Sequence, residues 1–243
     1  MSSVVPNCLS YDPTYGYEVA VIVHDGLRRM VTNQEDVFYY ITLMNENYEH
    51  PAMPQGVEQG ILKGMYLLRE SKAKHKSRVQ LLGSGTILRE VLAAAELLES
   101  DWGVAADVWS ATSFTELRRG GLAAERWNLL HPDSKPRTPY VTEVLQSRPA
   151  GPVVAASDYM KTFADQIRPF IPQGRVYRVL GTDGFGRSDS RAKLRHFFEV
   201  NREFITVAAL KSLVDQGEGK PKAVADAIKK YGIDPEKPDP TTV

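Results

Sequence analysis

Two stretches of the chain carry residue types at spacings that could do chemistry. The first is Gly83-Ser84-Gly85-Thr86. It falls between an apolar run, Val79 to Leu82, and a helical pattern that opens at Thr86. Free backbone N–H groups and the helix dipole could seat an anion there. The turn lacks the third glycine of a GxGxxG and the GK[ST] of a P-loop. The next strand pattern ends Ser110-Ala111-Thr112, so no acidic residue stands ready for a ribose hydroxyl. A tight strand-to-helix turn with Thr86 as cap explains the same residues.

The second stretch runs from Gly181 through Thr182-Asp183-Gly184-Phe185-Gly186-Arg187-Ser188-Asp189-Ser190 to Arg191. Its glycines permit close backbone approach. Arg187, Arg191, Lys193 and Arg195 outnumber Asp183 and Asp189, and Phe185 stands among the glycines. Arginine forks give bidentate contacts to carboxylates. Asp183, Phe185, Arg187, Asp189, Arg191 and Arg195 are therefore candidate docking residues for an acidic partner face. Internal pairing that merely shapes the loop is the competing reading. His131 and His196 lack a nearby nucleophile in any recognised pattern. Cys8 lacks a neighbouring cation, and Tyr39-Tyr40 reads as one ring in and one out of a strand. The residues make no complete active site.

These stretches need elements to hold them. Helix and strand patterns alternate, which predicts an α/β fold with a mainly parallel sheet covered by helices on both faces. Strands are expected at 37–44, 65–68, 79–82, 107–111, 152–156 and 176–180. Helices are expected from Asp12-Pro13 onward, then at 86–100, within 114–130, and at 139–145, 159–170, 190–199, 202–216 and 221–231. The basic run Ser71 to Arg78 reads as a linker over 71–78. Residues 79–232 then form a self-contained unit, and 1–70 resemble the closing part of another domain. The proline-bearing tail, 233–243, is expected to be flexible or draped on the surface.

Composition narrows the function classes. Lysine plus arginine and aspartate plus glutamate both number 30 in 243 residues. A zero formal charge argues against a general nucleic-acid or membrane-surface binder. One cysteine excludes an intrachain disulfide and a thiolate-built zinc cluster, and it fits a cytoplasmic setting. No apolar run approaches a membrane span. The five histidines show no HxH or HExxH spacing.

Several motifs together resemble one family. They are Asp12-Pro13-Thr14-Tyr15, Asn45-Glu46-Asn47-Tyr48, Leu82-Gly83-Ser84-Gly85, Ser113-Phe114-Thr115-Glu116-Leu117, Arg126-Trp127-Asn128, Ser157-Asp158-Tyr159-Met160 and Gly181 to Arg191. The family is the homodimeric, bacterial type of pyruvate dehydrogenase first component, of the transketolase superfamily. The resemblance implies a chain matching the end of the family's pyrimidine-binding domain (1–70) and its transketolase-like C-terminal domain (79–232). It implies thiamine diphosphate and Mg2+ in the longer protein. Its metal–diphosphate motif, activating glutamate and histidine-rich stretch have no counterpart here, so this chain alone is expected to bind no cofactor and no metal and to be catalytically silent. The partners implied are a second copy of the chain and the dihydrolipoyl acyltransferase component, through its subunit-binding or lipoyl domain. A free-standing α/β anion- or nucleotide-binding protein, or a piece of another transketolase-type 2-oxo-acid enzyme, are the alternatives.

Overall fold

The computed structural model describes residues 2–243. Its centre is a five-stranded sheet. The strands are β3 (Tyr66–Arg69), β4 (Ser77–Gly83), β5 (Val104–Ser110), β6 (Val153–Ala156) and β7 (Tyr177–Leu180), in the order β3-β5-β4-β6-β7. Pairing is parallel except for β3, which runs antiparallel to β5. β4 is central because it is buried on both faces: Val79 and Leu81 point to one core, Leu82 to the other. A continuous apolar run is what such a strand requires.

Helices cover both faces. On one, α3 (Ile87–Trp102), α8 (Arg202–Asp215) and α9 (Pro221–Lys230) pack Ile87, Val91, Leu98, Ile205 and Ala227 onto the sheet. On the other, α4 (Phe114–Leu130), α5 (Tyr140–Gln146) and α6 (Lys161–Asp165) bury Phe114, Leu117, Val141, Leu145 and Ala164. Gly121 lets α4 close down on Phe170, since a Cβ there would stand 2.4 Å from the ring. α7 (Arg191–Phe197) lies at the carboxyl edge of the sheet. No helix of the described residues is long and apolar enough to cross a membrane.

The segment before the large sheet holds β1 (Cys8–Tyr11), α1 (Gly16–Leu27), β2 (Phe38–Ile41) and α2 (Glu58–Lys63). β1 and β2 pair in parallel as a small sheet of their own. Four points differ from the sequence expectation. Cys8–Tyr11 is a strand, and α1 starts at Gly16 rather than beside Asp12, because Glu18 folds back to accept the backbone N–H of Tyr15 (2.9 Å) and of Thr14. β3 joins the large sheet through β5, so the sheet begins upstream of residues 71–78. Those residues are tied to it: the Ser71 N–H and the Arg78 guanidinium both donate to buried Asp107. The 159–170 helix is shortened to α6 and a separate 3₁₀ turn, Arg168–Phe170, with Pro169 inside that turn.

The tail is draped and pinned. Ile233 and Pro240 are buried, and Lys237 donates to the Phe197 carbonyl and to Glu199.

Candidate functional site

The strand order reverses direction between β4 and β6. In open α/β sheets ligands gather outside the carboxyl ends of the strands at such a switch point. The Gly83–Thr86 turn leaves β4 there, Ser157-Asp158 leaves β6, and Gly181 to Ser190 leaves β7. A cavity of about 380 Å³ opens over these ends. It is lined by Thr86 and Asp158, by Thr182, Gly184 and Gly186, and by Arg187, Arg191 and Arg195, together with Met44 and Glu46 from the N-terminal segment.

The glycine-rich turn is closed from inside. Gly85 has φ +50°, and its N–H donates to the Asp12 carbonyl at 3.1 Å. A Cβ on Gly85 would stand 2.8 Å from the Asp12 carboxylate. The Thr14 hydroxyl donates to the Gly85 carbonyl at 2.7 Å. Gly83 allows α3 to pass close, since its Cβ would meet the Leu88 Cα at 2.7 Å. The Gly85 N–H is thus already taken by the Asp12 carbonyl, and the Asp12 carboxylate beside the turn works against an external anion there. Of Gly83, Ser84, Gly85 and Thr86, only Thr86 lines the open cavity.

The Gly181–Arg195 residues separate by role. Gly181 approaches the Tyr159 carbonyl so closely that a Cβ would sit 2.4 Å from it, and Thr182 donates its N–H to the same carbonyl. Asp183 accepts the Lys161 N–H at 3.3 Å. Gly184, at φ +106°, lies against the Pro240 carbonyl, so the pinned tail fixes the loop from behind. Phe185 is 79% exposed. Arg187 makes no ion pair among the described residues and lies over the Phe197 ring, 5.2 Å from its centroid. Asp189 caps its own loop through the Ser190 N–H and pairs loosely with Lys193 at 3.7 Å.

Arg191 and Arg195 turn inward. Arg191 donates to Asn45 at 2.9 Å and stands 3.7 Å from Glu46. Arg195, 14% exposed, pairs with Glu46 at 2.6 Å and Glu90 at 3.4 Å. Glu46 also meets Arg89 at 2.6 Å, and Glu90 holds Arg202 at 2.9 Å. Burial works against ionisation of both glutamates, but the guanidiniums win and hold them below the usual carboxylate range. Asp158 has no arginine in contact, and burial raises it. Arg195 is therefore an internal clamp, and the outward-facing members of the set are Phe185, Arg187, Asp189 and part of Arg191.

The other residues with chemical potential are structural. His131 stacks on Trp127 at 3.6 Å, and His196 meets Phe204 edge-on. Cys8 is buried. Sequence reasoning missed the acceptors that organise the site: Glu46, Glu90 and Asp12. The signal was present as acidic residues inside apolar or loop patterns, but their partners are distant in sequence.

Residues 64–201, more than half of the chain, match the family model of the transketolase-like TK C-terminal domain. The chain belongs to that family. Residues 1–51 of this transketolase-type chain match a second model, the pyruvate dehydrogenase E1 component middle domain. The chain is 62% identical over 240 residues to the pyruvate dehydrogenase E1 component of Pseudomonas aeruginosa, covering 99% of itself and 27% of that protein. It is 58% identical to the Escherichia coli K12 protein of the same name, covering 98% of itself and 26% of that protein. The chain thus spans about a quarter of the length of these relatives. A transketolase structure from Pichia stipitis superposes with a TM-score of 0.59 at 18% identity, over 89% of this chain and 27% of that one. That likeness establishes the transketolase C-terminal-domain fold.

In the N-terminal segment of this chain Asp12 gives a pH signature. Burial raises its carboxyl to about 6, against the opposing hydroxyls of Thr42 and Ser84. A raised folded-state pKa lends stability that is complete below the unfolded value of about 3.9 and is lost as pH rises through 6. Asp12→Asn keeps an acceptor for the Thr42 hydroxyl (2.6 Å) without the buried charge. It is expected to raise stability at pH 7.5 by on the order of 1–2 kcal/mol and to flatten the pH dependence between 4 and 7. Thermal melts across that range check this; a lower midpoint for the variant at pH 7.5 contradicts it.

Proposed function

We propose that this chain serves as the C-terminal, non-catalytic unit of a pyruvate dehydrogenase E1-type protein acting in the cytoplasm. In the reading offered here, the longer protein decarboxylates pyruvate on thiamine diphosphate and acetylates the lipoyl group of the acyltransferase component. The observation that carries this is the 62% identity spread over 99% of the chain. Identity that even argues for the same packing partners, not merely the same fold.

Thiamine diphosphate needs a divalent cation at its diphosphate end. Among the described residues no three His, Cys, Asp or Glu side chains converge to hold a metal. The donor set here does not fit that end of the cofactor, and its binding is assigned to the remainder of the longer protein. This chain then contributes assembly with a second copy and a partner-docking rim. Phe185, Arg187, Asp189 and the outer part of Arg191 supply that rim, with Asp183 and Arg195 holding it in place from within. An acidic face, such as that of a lipoyl domain, suits the unpaired Arg187.

The test is an exchange. Replacing the matching portion of the Pseudomonas aeruginosa relative with this chain is expected to keep both pyruvate decarboxylation with an artificial electron acceptor and acetyl transfer to a lipoyl domain. Loss of both activities in a folded chimera refutes the E1 reading. Loss of transfer alone refutes the docking role. The chain by itself is expected to release no heat with thiamine diphosphate and Mg2+ in calorimetry, and micromolar binding overturns the assignment of the cofactor elsewhere.

A further inference from the structure

The carboxyl-edge cavity behind the rim has features that partner docking alone does not require. Four guanidiniums, those of Arg89, Arg191, Arg195 and Arg202, gather around Glu46 and Glu90, and Arg187 and Asp158 line the same cavity. The pairing is uneven. Glu46 serves Arg89 and Arg195 closely and Arg191 only at 3.7 Å, whereas Arg187 has no carboxylate at all. Positive charge is therefore left over in the cavity lining, and it belongs to Arg187 and Arg191.

The wall is held ready. Arg195 is clamped by two glutamates, and the Gly181–Gly186 loop is fixed by the Asp183 contact and by Pro240 behind Gly184. Gly186 presents bare backbone, with nothing within 4 Å of where a Cβ would stand. Leu194, Phe198 and Val200 add apolar surface to the same lining. The volume, about 380 Å³, is that of a small-molecule pocket. Arginine forks beside apolar lining recognise a compact anion joined to an apolar body.

We infer that the cavity over the ends of β4, β6 and β7 is a binding site for a small organic phosphate, with Arg187 and Arg191 holding the phosphate and Leu194, Phe198 and Val200 receiving the organic part. The site shares Arg187 and Arg191 with the docking rim, but its test uses this chain alone and does not depend on the E1 reading. Asp158, without an arginine in contact, limits the affinity from the far side by like charge.

Phenyl phosphate is the probe, with inorganic phosphate and sodium chloride at equal ionic strength as references. Titration of the full chain, followed by amide chemical-shift changes, is expected to map phenyl phosphate to Thr86, Thr182 and residues 186–195. Affinity should be about tenfold above that of inorganic phosphate, because only the former covers the apolar lining. Arg187→Glu is expected to weaken binding by about tenfold or more. Gly186→Glu has room for its side chain and places a carboxylate in the cavity, so it should abolish binding while melting as the parent does. Asp158→Asn should tighten binding. Shifts reproduced by chloride, or phenyl phosphate binding unaltered in both the Arg187→Glu and Gly186→Glu chains, overturn the inference, as does the absence of any shift at millimolar probe.

Discussion

Asp107→Ala is expected to cost about 3–5 kcal/mol, because it strips the counter-ion from two partly buried arginines in the middle of the sheet. Asp107 lies in β5 with no exposed surface. One carboxylate oxygen accepts from Arg78 at 2.6 Å and from the Ser71 N–H at 3.0 Å. The other accepts from Gln80 at 3.0 Å and faces Arg148 at 3.4 Å. Gln80 in turn accepts the Trp109 indole N–H at 2.8 Å. Alanine would leave these donors unpaired and Arg78 without its only ion pair; Arg148 keeps Glu70. Asparagine preserves the shape but turns an N–H2 toward other donors, so an intermediate loss of about 1–3 kcal/mol is expected. Urea unfolding followed by circular dichroism measures both. An alanine cost below about 1 kcal/mol would mean that water repairs the network, and the account of residues 71–78 as anchored to the sheet would fall with it.

That anchoring also explains which parts of the fold were legible. Pro152 to Ala156 announces a buried parallel strand because both of its faces meet helices, leaving a run without polar alternation; Val79 to Leu82 and Val176 to Leu180 carry one polar residue each, Gln80 bonded to Asp107 and Arg178 paired with Asp215. α3 is equally plain, with Ile87, Val91, Ala94, Ala95 and Leu98 on one stripe. β1 is not. Cys-Leu-Ser-Tyr has no strand signature, and buried Ser10 accepts at its carbonyl from the Ser113 hydroxyl, 103 residues away in sequence. Asp12-Pro13 looks locally like a helix start, but tertiary contacts with Thr42 and Gly85 take the carboxylate away. The run 71–78 reads as a solvated linker because Ser71 and Arg78 find their acceptor on β5, about 30 residues onward.

The site follows the same division. The glycines of Gly181–Gly186 were readable, since a strand running into three glycines must turn tightly and approach other backbone. The allegiance of its arginines was not. Arg195 and Glu46 are 149 positions apart, and no local pattern tells an arginine that clamps the interior from one that faces a partner. Only the three-dimensional pairing separates Arg195 from Arg187.

Glu18→Ala is expected to produce the second large effect, and to do so by uncoupling the N-terminal segment from the large sheet. Glu18 is completely buried in α1. Its two oxygens accept from four donors: the Ser110 hydroxyl at 2.6 Å, the Tyr66 hydroxyl at 2.7 Å, and the backbone N–H groups of Thr14 and Tyr15. Ser110 and Tyr66 belong to β5 and β3, so one side chain joins the start of α1 to two strands of the large sheet. Tyr17 extends the network through its hydroxyl contact with Tyr66 at 2.6 Å. Burial raises the Glu18 carboxyl above its usual range, and the four donors pull it back only in part. The stability it lends therefore declines as pH rises through that raised value. Alanine removes the acceptor and leaves two hydroxyls and two backbone donors unsatisfied, at about 3–4 kcal/mol in total. Glutamine can serve the hydroxyls with its carbonyl, but its N–H2 then confronts the Thr14 and Tyr15 donors, so it should rescue only part of the loss. Because the contacts cross from one unit to the other, the loss should be unevenly spread. Hydrogen exchange in β1, α1 and β2 is expected to accelerate strongly, and proteolysis to begin between residues 42 and 57, while amides of β4, β6 and β7 stay protected. Uniform loss of protection across all five strands of the large sheet would instead make Glu18 part of a single cooperative core and would remove the basis for treating the N-terminal segment as a separately stabilised unit.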